Sequence, residues 1–350
     1  MSRPYKAPRT VADDLATVDE PAVRVDDLTR AFRVAERKQG LRASVGDIFH
    51  RTYREVTAVE GVTFQVNRGE IVGVLGPNGS GKTTTLKCIS GLLTPTRGSV
   101  EVLGFVPSER RDAFLRRVGF IMGQRSQLHQ DVSVLDSLEM RRVVYGLGRA
   151  EFEDSRDELV ELLSLTSFAA TPVRQLSLGQ RMRCEFAAAL LHRPDVVLLD
   201  EPTIGLDFDA QAAIRGFVQR YVANHGASVL LTSHYLLDIE AMASRAVALA
   251  RGRLLFSGSL AELRQCGGAS QLVTLRGEHL DLSRTEWAGL ISRQEPGEIS
   301  LEISRAAVPT LLAQLSALPG LVDLTLSDPP LETALAHLYA GVGDEPAGVA

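Results

Sequence analysis

Residues Gly76-Pro77-Asn78-Gly79-Ser80-Gly81-Lys82-Thr83 satisfy the pattern G-x-x-x-x-G-K-[ST] at every position. The pattern follows Glu70 to Leu75, a nearly continuous apolar run of the kind a buried parallel strand presents, and Lys82 to Gly91 continues as a helix. That context gives the pattern its meaning. Glycines let backbone N–H groups turn inward on a phosphate, and the helix N-terminus adds favourable potential. Lys82 supplies a point charge for the β- and γ-phosphates, the hydroxyl of Thr83 is suited to Mg²⁺, and Thr84 continues the first helical turn. Lysine is scarce, four among 38 basic residues, so this one stands out. The loop alone implies a bound nucleoside triphosphate.

The strand Val196 to Leu199 ends in Asp200-Glu201, an acidic pair at a strand terminus. Beside a phosphate loop, the first acid can hold Mg²⁺ and the second can polarise an attacking water. Strands at Val229 to Thr232 and Ala246 to Ala250 alternate with helices after Gln180 and over Ala210 to Ala223. This alternation predicts an α/β fold, a parallel sheet covered on both faces. Between the loop and the acidic pair, residues 134–165 carry Leu135, Leu138, Val143, Leu159, Leu162 and Leu163 at helical spacing.

Leu176-Ser177-Leu178-Gly179-Gln180 lies 21 residues before Asp200, counted from Gly179. Here the sequence closely resembles the ATP-binding cassette (ABC) family, whose signature LSGGQ stands at this distance. Other family elements follow in order: Gln124 matches the Q-loop, Gly205-Leu206-Asp207 the D-loop, and His234 in Thr232-Ser233-His234 the switch histidine. The resemblance spans about residues 22–265. It implies a P-loop NTPase (RecA-like) nucleotide-binding domain with a helical subdomain at about 127–189. It also implies ATP and Mg²⁺ as cofactors and a head-to-tail dimer with each ATP between one subunit's phosphate loop and its partner's signature.

Carried over, Ser177, Gly179 and Gln180 serve the partner-bound nucleotide, Glu201 is the general base, and His234 holds the γ-phosphate. Thr83, Gln124 and Asp200 form the metal set, and Asp207 belongs to the shared site. Leu178 departs from the family's first signature glycine, which implies an altered rate with activity retained. An adenine-stacking aromatic is expected upstream; Phe32 and Tyr53 are both candidates. One cassette with no long coiled coil and no second phosphate loop fits a transporter subunit better than a translation-type or chromosome-type cassette. The segments 122–128 and Arg181-Met182-Arg183, with the C-terminal region, resemble ATPases serving ABC-2-type permeases, which are mostly exporters. The implied partner is a separate membrane permease, with the chain peripheral on the cytoplasmic face.

No window reaches the roughly 18 apolar residues of a membrane helix. The formal charge of −5 gives no reason to expect nucleic acid. Cys88, Cys184 and Cys266 lack metal-ligand spacing and read as reduced thiols. His50, His129 and His192 read as structural or surface residues. Residues 1–19 and the tail 343–350 are polar and expected to be disordered. An arginine-rich insertion at about 33–55 interrupts the nucleotide domain (20–268); residues 30–54 hold seven basic groups against two acidic ones. Ala22 to Leu28 reads as an edge strand. Composition changes near Gly267-Gly268, and 269–342 read as a small accessory α+β domain without chemistry, dispensable for ATP binding.

Overall fold

The computed structural model describes residues 20–35, 53–123, 126–266, 270–278, 280, 282, 287–315 and 320–340. In chain order the first elements are β1 (Val23–Ala35), β2 (Tyr53–Val66), β3 (Ile71–Leu75), α1 (Lys82–Ile89), β4 (Arg97–Val102), α2 (Asp112–Leu115) and β5 (Val118–Met122). Then come α3 (Val134–Tyr145), α4 (Arg149–Leu162), α5 (Leu178–Leu190), β6 (Val196–Asp200), α6 (Phe208–His225), β7 (Ser228–Thr232), α7 (Leu236–Met242), β8 (Arg245–Ala250), β9 (Arg253–Ser259) and α8 (Leu260–Gln265). The C-terminal region adds β10 (Ser270–Gly277), β11 (Ile291–Glu295), β12 (Glu298–Ser304), α9 (Val308–Leu315), β13 (Leu321–Ser327) and α10 (Leu331–Ala340).

The central sheet runs β5-β6-β7-β3-β8-β9, parallel except for β9. Its inner strands β6, β7, β3 and β8 are buried on both faces, and their period of two divides the core. Ile71 and Leu75 of β3, with Val197 and Leu199 of β6, join the core shared with α5 and α6. Val72 and Val74, with Val196 and Leu198, join a second core containing α1 and the antiparallel sheet β2-β1-β4. One cover is thus a second sheet with α1 rather than helices alone, a departure from the layer expected.

Strand β1 is the centre of that second sheet, not an edge. It pairs antiparallel with β2 on one side and β4 on the other. Both partners are remote in sequence, and a local alternating pattern carries no information about them. Residues 33–35 and 53–55 are paired arms of the β1–β2 hairpin. The remainder of the basic insertion, with residues 1–19 and the tail, lies outside the described residues.

The C-terminal sheet β11-β12-β10-β13 has its own core around Val273, Leu301 and Leu311. Helix α10 does not belong to it: Leu331 and Leu335 enter the first core of the nucleotide domain. Ending the chain near Gly268 would therefore strip two buried leucines from that core. An amphipathic helix shows in sequence that it has an apolar face, but not which core receives it.

Candidate functional site

The phosphate loop, Gly123, the acidic pair and His234 follow the carboxyl ends of β3, β5, β6 and β7, where ligands gather in open α/β sheets. The phosphate loop leaves β3 and turns into α1. Gly81 adopts φ 102°, and a Cβ there would stand 2.6 Å from the carbonyl oxygen of Ala58 in β2. Only glycine lets the loop close against that strand. Within the loop Lys82 Nζ donates to the carbonyls of Gly76 (2.7 Å) and Pro77 (3.1 Å). Burial lowers the Lys82 pKa, while the charges of Glu201 and Asp200 act to raise it. The Ser80 hydroxyl is buried and without a hydrogen-bond partner among the described residues. A buried hydroxyl without a partner, in a glycine-rich loop beside an ammonium, fits phosphate oxygens.

Strand β7 lies between β3 and β6, so Thr232 stands between the loop and the acidic pair. Asp200 Oδ1 accepts from the hydroxyls of Thr83 (3.0 Å) and Thr232 (2.9 Å). Thr232, two residues before His234, is a site residue that the sequence analysis does not single out. Its hydroxyl and carbonyl both accept from the Glu201 N–H, at 3.0 and 3.1 Å. Glu201 consequently turns into the left-handed region, φ 54°, a conformation costing about 1–3 kcal/mol for a residue with a side chain. The turn aims its carboxylate at His234, whose Nε2 lies 2.8 Å from Glu201 Oε1.

Gly123 follows β5 beside this turn and donates its N–H to the Asp200 carbonyl at 2.9 Å. A Cβ on Gly123 would stand 2.1 Å from the Glu201 carbonyl oxygen. A Gly123→Ala variant must therefore push the Glu201 turn aside. Turnover should fall by about 10²-fold, the scale of an ångström-sized misplacement of a reacting group. ATPase assays beside a thermal melt check this; a stable variant with parental turnover would contradict it. Gln124 follows directly but lies outside the described residues, so the structure gives it no position.

The signature is built as a helix start. Ser177 is the N-cap of α5: its Oγ accepts from the Gln180 N–H (3.2 Å), and Gln180 Oε1 accepts from the Ser177 N–H (3.0 Å). This reciprocal capping box fixes the direction in which the helix N-terminus points. The Gln180 side-chain oxygen is thereby occupied with the Ser177 backbone N–H. Leu178 extends toward the D-loop, its Cδ2 3.3 Å from where a Cβ on Gly205 would stand. Asp207 caps α6 by accepting from the Ala210 N–H at 2.8 Å.

Phe32 is half-buried and the Arg30 guanidinium carbon lies 4.7 Å from its ring centroid. Phe32 pairs with Val56, and Tyr53 pairs with Ala35. Ala58 and Val59 of β2 lie against the loop, and counted from Ala58 Val56 is two residues away and Tyr53 five. At about 3.3 Å per residue those are about 7 and about 17 Å along the strand. Elsewhere, His192 is buried, stacked on Tyr145 at 3.8 Å and pushed down to about 4 by burial; Cys184 is buried and its thiol pushed up to about 12. Both serve packing.

A glycine-rich loop at the end of a central parallel strand, with an acidic pair two strands away, defines a P-loop NTPase fold. The family model described as ABC transporter matches residues 59–204. A Nod factor export ATP-binding protein I of Cupriavidus pinatubonensis (strain JMP 134 / LMG 1197) is 34% identical over 264 residues, covering 75% of this chain and 81% of that protein. A linearmycin resistance ATP-binding protein of Bacillus subtilis (strain 168) is 28% identical over 303 residues, covering 82% and 95%. The solved dimer of the ATP-binding cassette MJ0796, in a post-hydrolysis state bound to ADP and Pi, superposes with a TM-score of 0.57 at 25% identity, covering 68% of this chain and 98% of that one. The chain belongs to the ABC transporter family, as an ATP-binding, ATP-hydrolysing subunit.

Proposed function

We propose that this chain drives export through a separate membrane permease, hydrolysing ATP in two sites shared across a head-to-tail dimer. The observation that carries the catalytic reading is the Glu201–His234 pair at 2.8 Å, held beside Asp200 and the phosphate loop. In this reading Gly76 to Thr84 cradle the phosphates, with Lys82 exchanging its two loop carbonyls for phosphate oxygens. Glu201 takes the proton of a water as its oxygen bonds to the γ-phosphorus and the bond to the ADP oxygen breaks. His234 orients the carboxylate and holds the γ-phosphate. Phe32, the nearer aromatic along the hairpin, stacks on adenine.

Thr83 and Asp200 present a hydroxyl and a carboxylate whose oxygens are 3.0 Å apart. Hard oxygen donors of this kind, few in number, suit Mg²⁺, which takes its remaining ligands from water and phosphate. Among the described residues no cluster of three acidic, histidine or cysteine side chains could hold a metal unaided. When bound, the ion neutralises charge developing on the β- and γ-phosphate oxygens. Gln124 would complete the metal set.

Two observations support a membrane partner. The curated relatives named above are a Nod factor export protein and a linearmycin resistance protein, each an ATP-binding protein by name. A groove of about 450 Å³ is lined by the apolar Leu92, Leu115, Phe120, Val144 and Tyr145, with Arg110, Asp112, Arg116 and Gln127 among its polar residues. Next to it α3 exposes Met140, Val143 and Val144. The helical spacing of this segment thus serves two sides: Val134 and Leu138 pack inward while Leu135 and Val143 face out. No described helix is long and apolar enough to cross a membrane. A Val144→Asp variant should keep its ATPase activity in solution yet bind permease-containing membranes at least about tenfold more weakly, the cost of a charge at an apolar contact. Co-sedimentation with such membranes decides; undiminished binding would remove the groove from the permease contact, and failure of the parent chain to co-purify with any permease would remove the transport reading.

A further inference from the structure

Asp238 is fully buried on α7, and three side chains from three other segments converge on its carboxylate. Oδ1 accepts from Arg215 of α6 at 2.8 Å. Oδ2 accepts from the Ser233 hydroxyl at 2.8 Å and from the Thr203 hydroxyl. Thr203 and Ser233 are themselves buried. A single arginine balances the charge, and the rest of the carboxylate is satisfied by neutral hydroxyls rather than by a second cation.

The positions of those hydroxyls matter. Thr203 lies two residues after Glu201, on the turn leading into Gly205-Leu206-Asp207. Ser233 lies immediately before His234, and its Oγ also accepts from the N–H of Tyr235, immediately after it, at 3.0 Å. The backbone on both sides of His234 is therefore pinned to one hydroxyl, and that hydroxyl is pinned to Asp238. The Glu201 turn is pinned to the same oxygen through Thr203. Two loops that must place a carboxylate and an imidazole 2.8 Å apart thus share one buried anchor behind them.

We propose that Asp238 is a positioning residue for hydrolysis, setting the Glu201–His234 distance through Thr203 and Ser233. This inference rests on the reading of Glu201 as the base. Because β6 and β7 are adjacent parallel strands, their backbones fix the loops only up to Asp200 and Thr232. Beyond those residues the chain diverges into α6 and α7, and the Arg215–Asp238 pair joins these helices again. A change in nucleotide state that moves His234 must move the Thr203 turn and the D-loop with it.

Thr203→Val tests this without disturbing the ion pair, since valine matches threonine in shape and removes only the hydroxyl. In the full chain its kcat for ATP should fall about tenfold, the loss that a small misalignment of reacting groups causes, while KM and the affinity for ATP stay within about twofold. Thr203→Ser, which restores the hydroxyl, should return kcat to within about twofold of the parent. A Thr203→Val kcat equal to the parent's overturns the proposal. So does a loss that serine fails to rescue and that tracks a lowered melting temperature, the signature of packing alone. Glu201→Gln run in parallel separates the two readings: parental turnover there sinks the base assignment and this inference with it, whereas a collapse there beside an active Thr203→Val sinks the positioning role only.

Discussion

Replacing Glu201 by glutamine should lower ATP turnover by about 10²-fold or more while leaving ATP binding intact. Glutamine has the size of glutamate and can still accept from His234, so the 2.8 Å contact survives the change. The turn itself is held by the backbone N–H on Thr232 and by Gly123, neither of which the side chain touches. The phosphate loop and Asp200 are likewise untouched, and nucleotide should bind as before. What disappears is the carboxylate's capacity to take a proton from water. Phosphate release under saturating ATP and an equilibrium ATP titration measure the two quantities separately. Near-parental hydrolysis would exclude Glu201 as the base; a joint loss of binding and turnover would mean instead that the substitution had disturbed the loop.

Much of this site was legible in the sequence because its chemistry is written in contiguous residues. Gly76 to Thr83 specify a loop whose backbone does the binding, and contiguous letters suffice to describe it. Leu176 to Gln180 match the family signature as contiguous letters, and the helix starts there. Asp200-Glu201 could be read because a buried strand ends on them. What escaped depends on strand order. Thr232 matters because β7 lies between β3 and β6, and nothing within Val229 to Thr232 shows which strands flank it. Asp238 lies four residues beyond His234, and nothing in the letters around it shows that α7 turns it wholly inward. Gly123 looks like an ordinary loop glycine until the Glu201 carbonyl is seen against it. The same limit explains β1, whose partners β2 and β4 come from beyond the basic insertion and from beyond α1. It also explains α10, whose leucines were visible while their destination in the nucleotide domain was not. Local pattern fixes an element and its apolar face; long-range pairing decides what that face meets.

Mixing two inactive variants should restore activity, because each proposed site takes its phosphate loop from one chain and its signature from the other. Lys82→Ala removes the buried ammonium that bonds Gly76 and Pro77, and with it the charge intended for phosphate. ATP binding should weaken at least about tenfold, since a charge-assisted hydrogen bond contributes about 1.5–3 kcal/mol. Gly179→Asp places a carboxylate in the first turn of α5, where the helix N-terminus would otherwise attract the partner-bound γ-phosphate. An acid in a first turn favours the helix, so this chain should fold, though a Cβ at Gly179 must settle against Ala210 at about 3.0 Å. Each variant alone builds dimers with two defective sites. A mixed dimer pairs the intact loop of the Gly179→Asp chain with the intact signature of the Lys82→Ala chain, and its other site carries both defects. With random pairing of equal amounts, half the dimers are mixed and hold one working site of two, so about a quarter of the parental activity should return. Titrating one variant against the other should give a maximum near equal proportions. A flat line has two causes that ATP-driven dimerisation of the Glu201→Gln chain separates. If that chain dimerises on ATP, the two sites are obligately coupled and one alone cannot turn over. If it stays monomeric at saturating ATP, the shared-site arrangement is wrong for this protein.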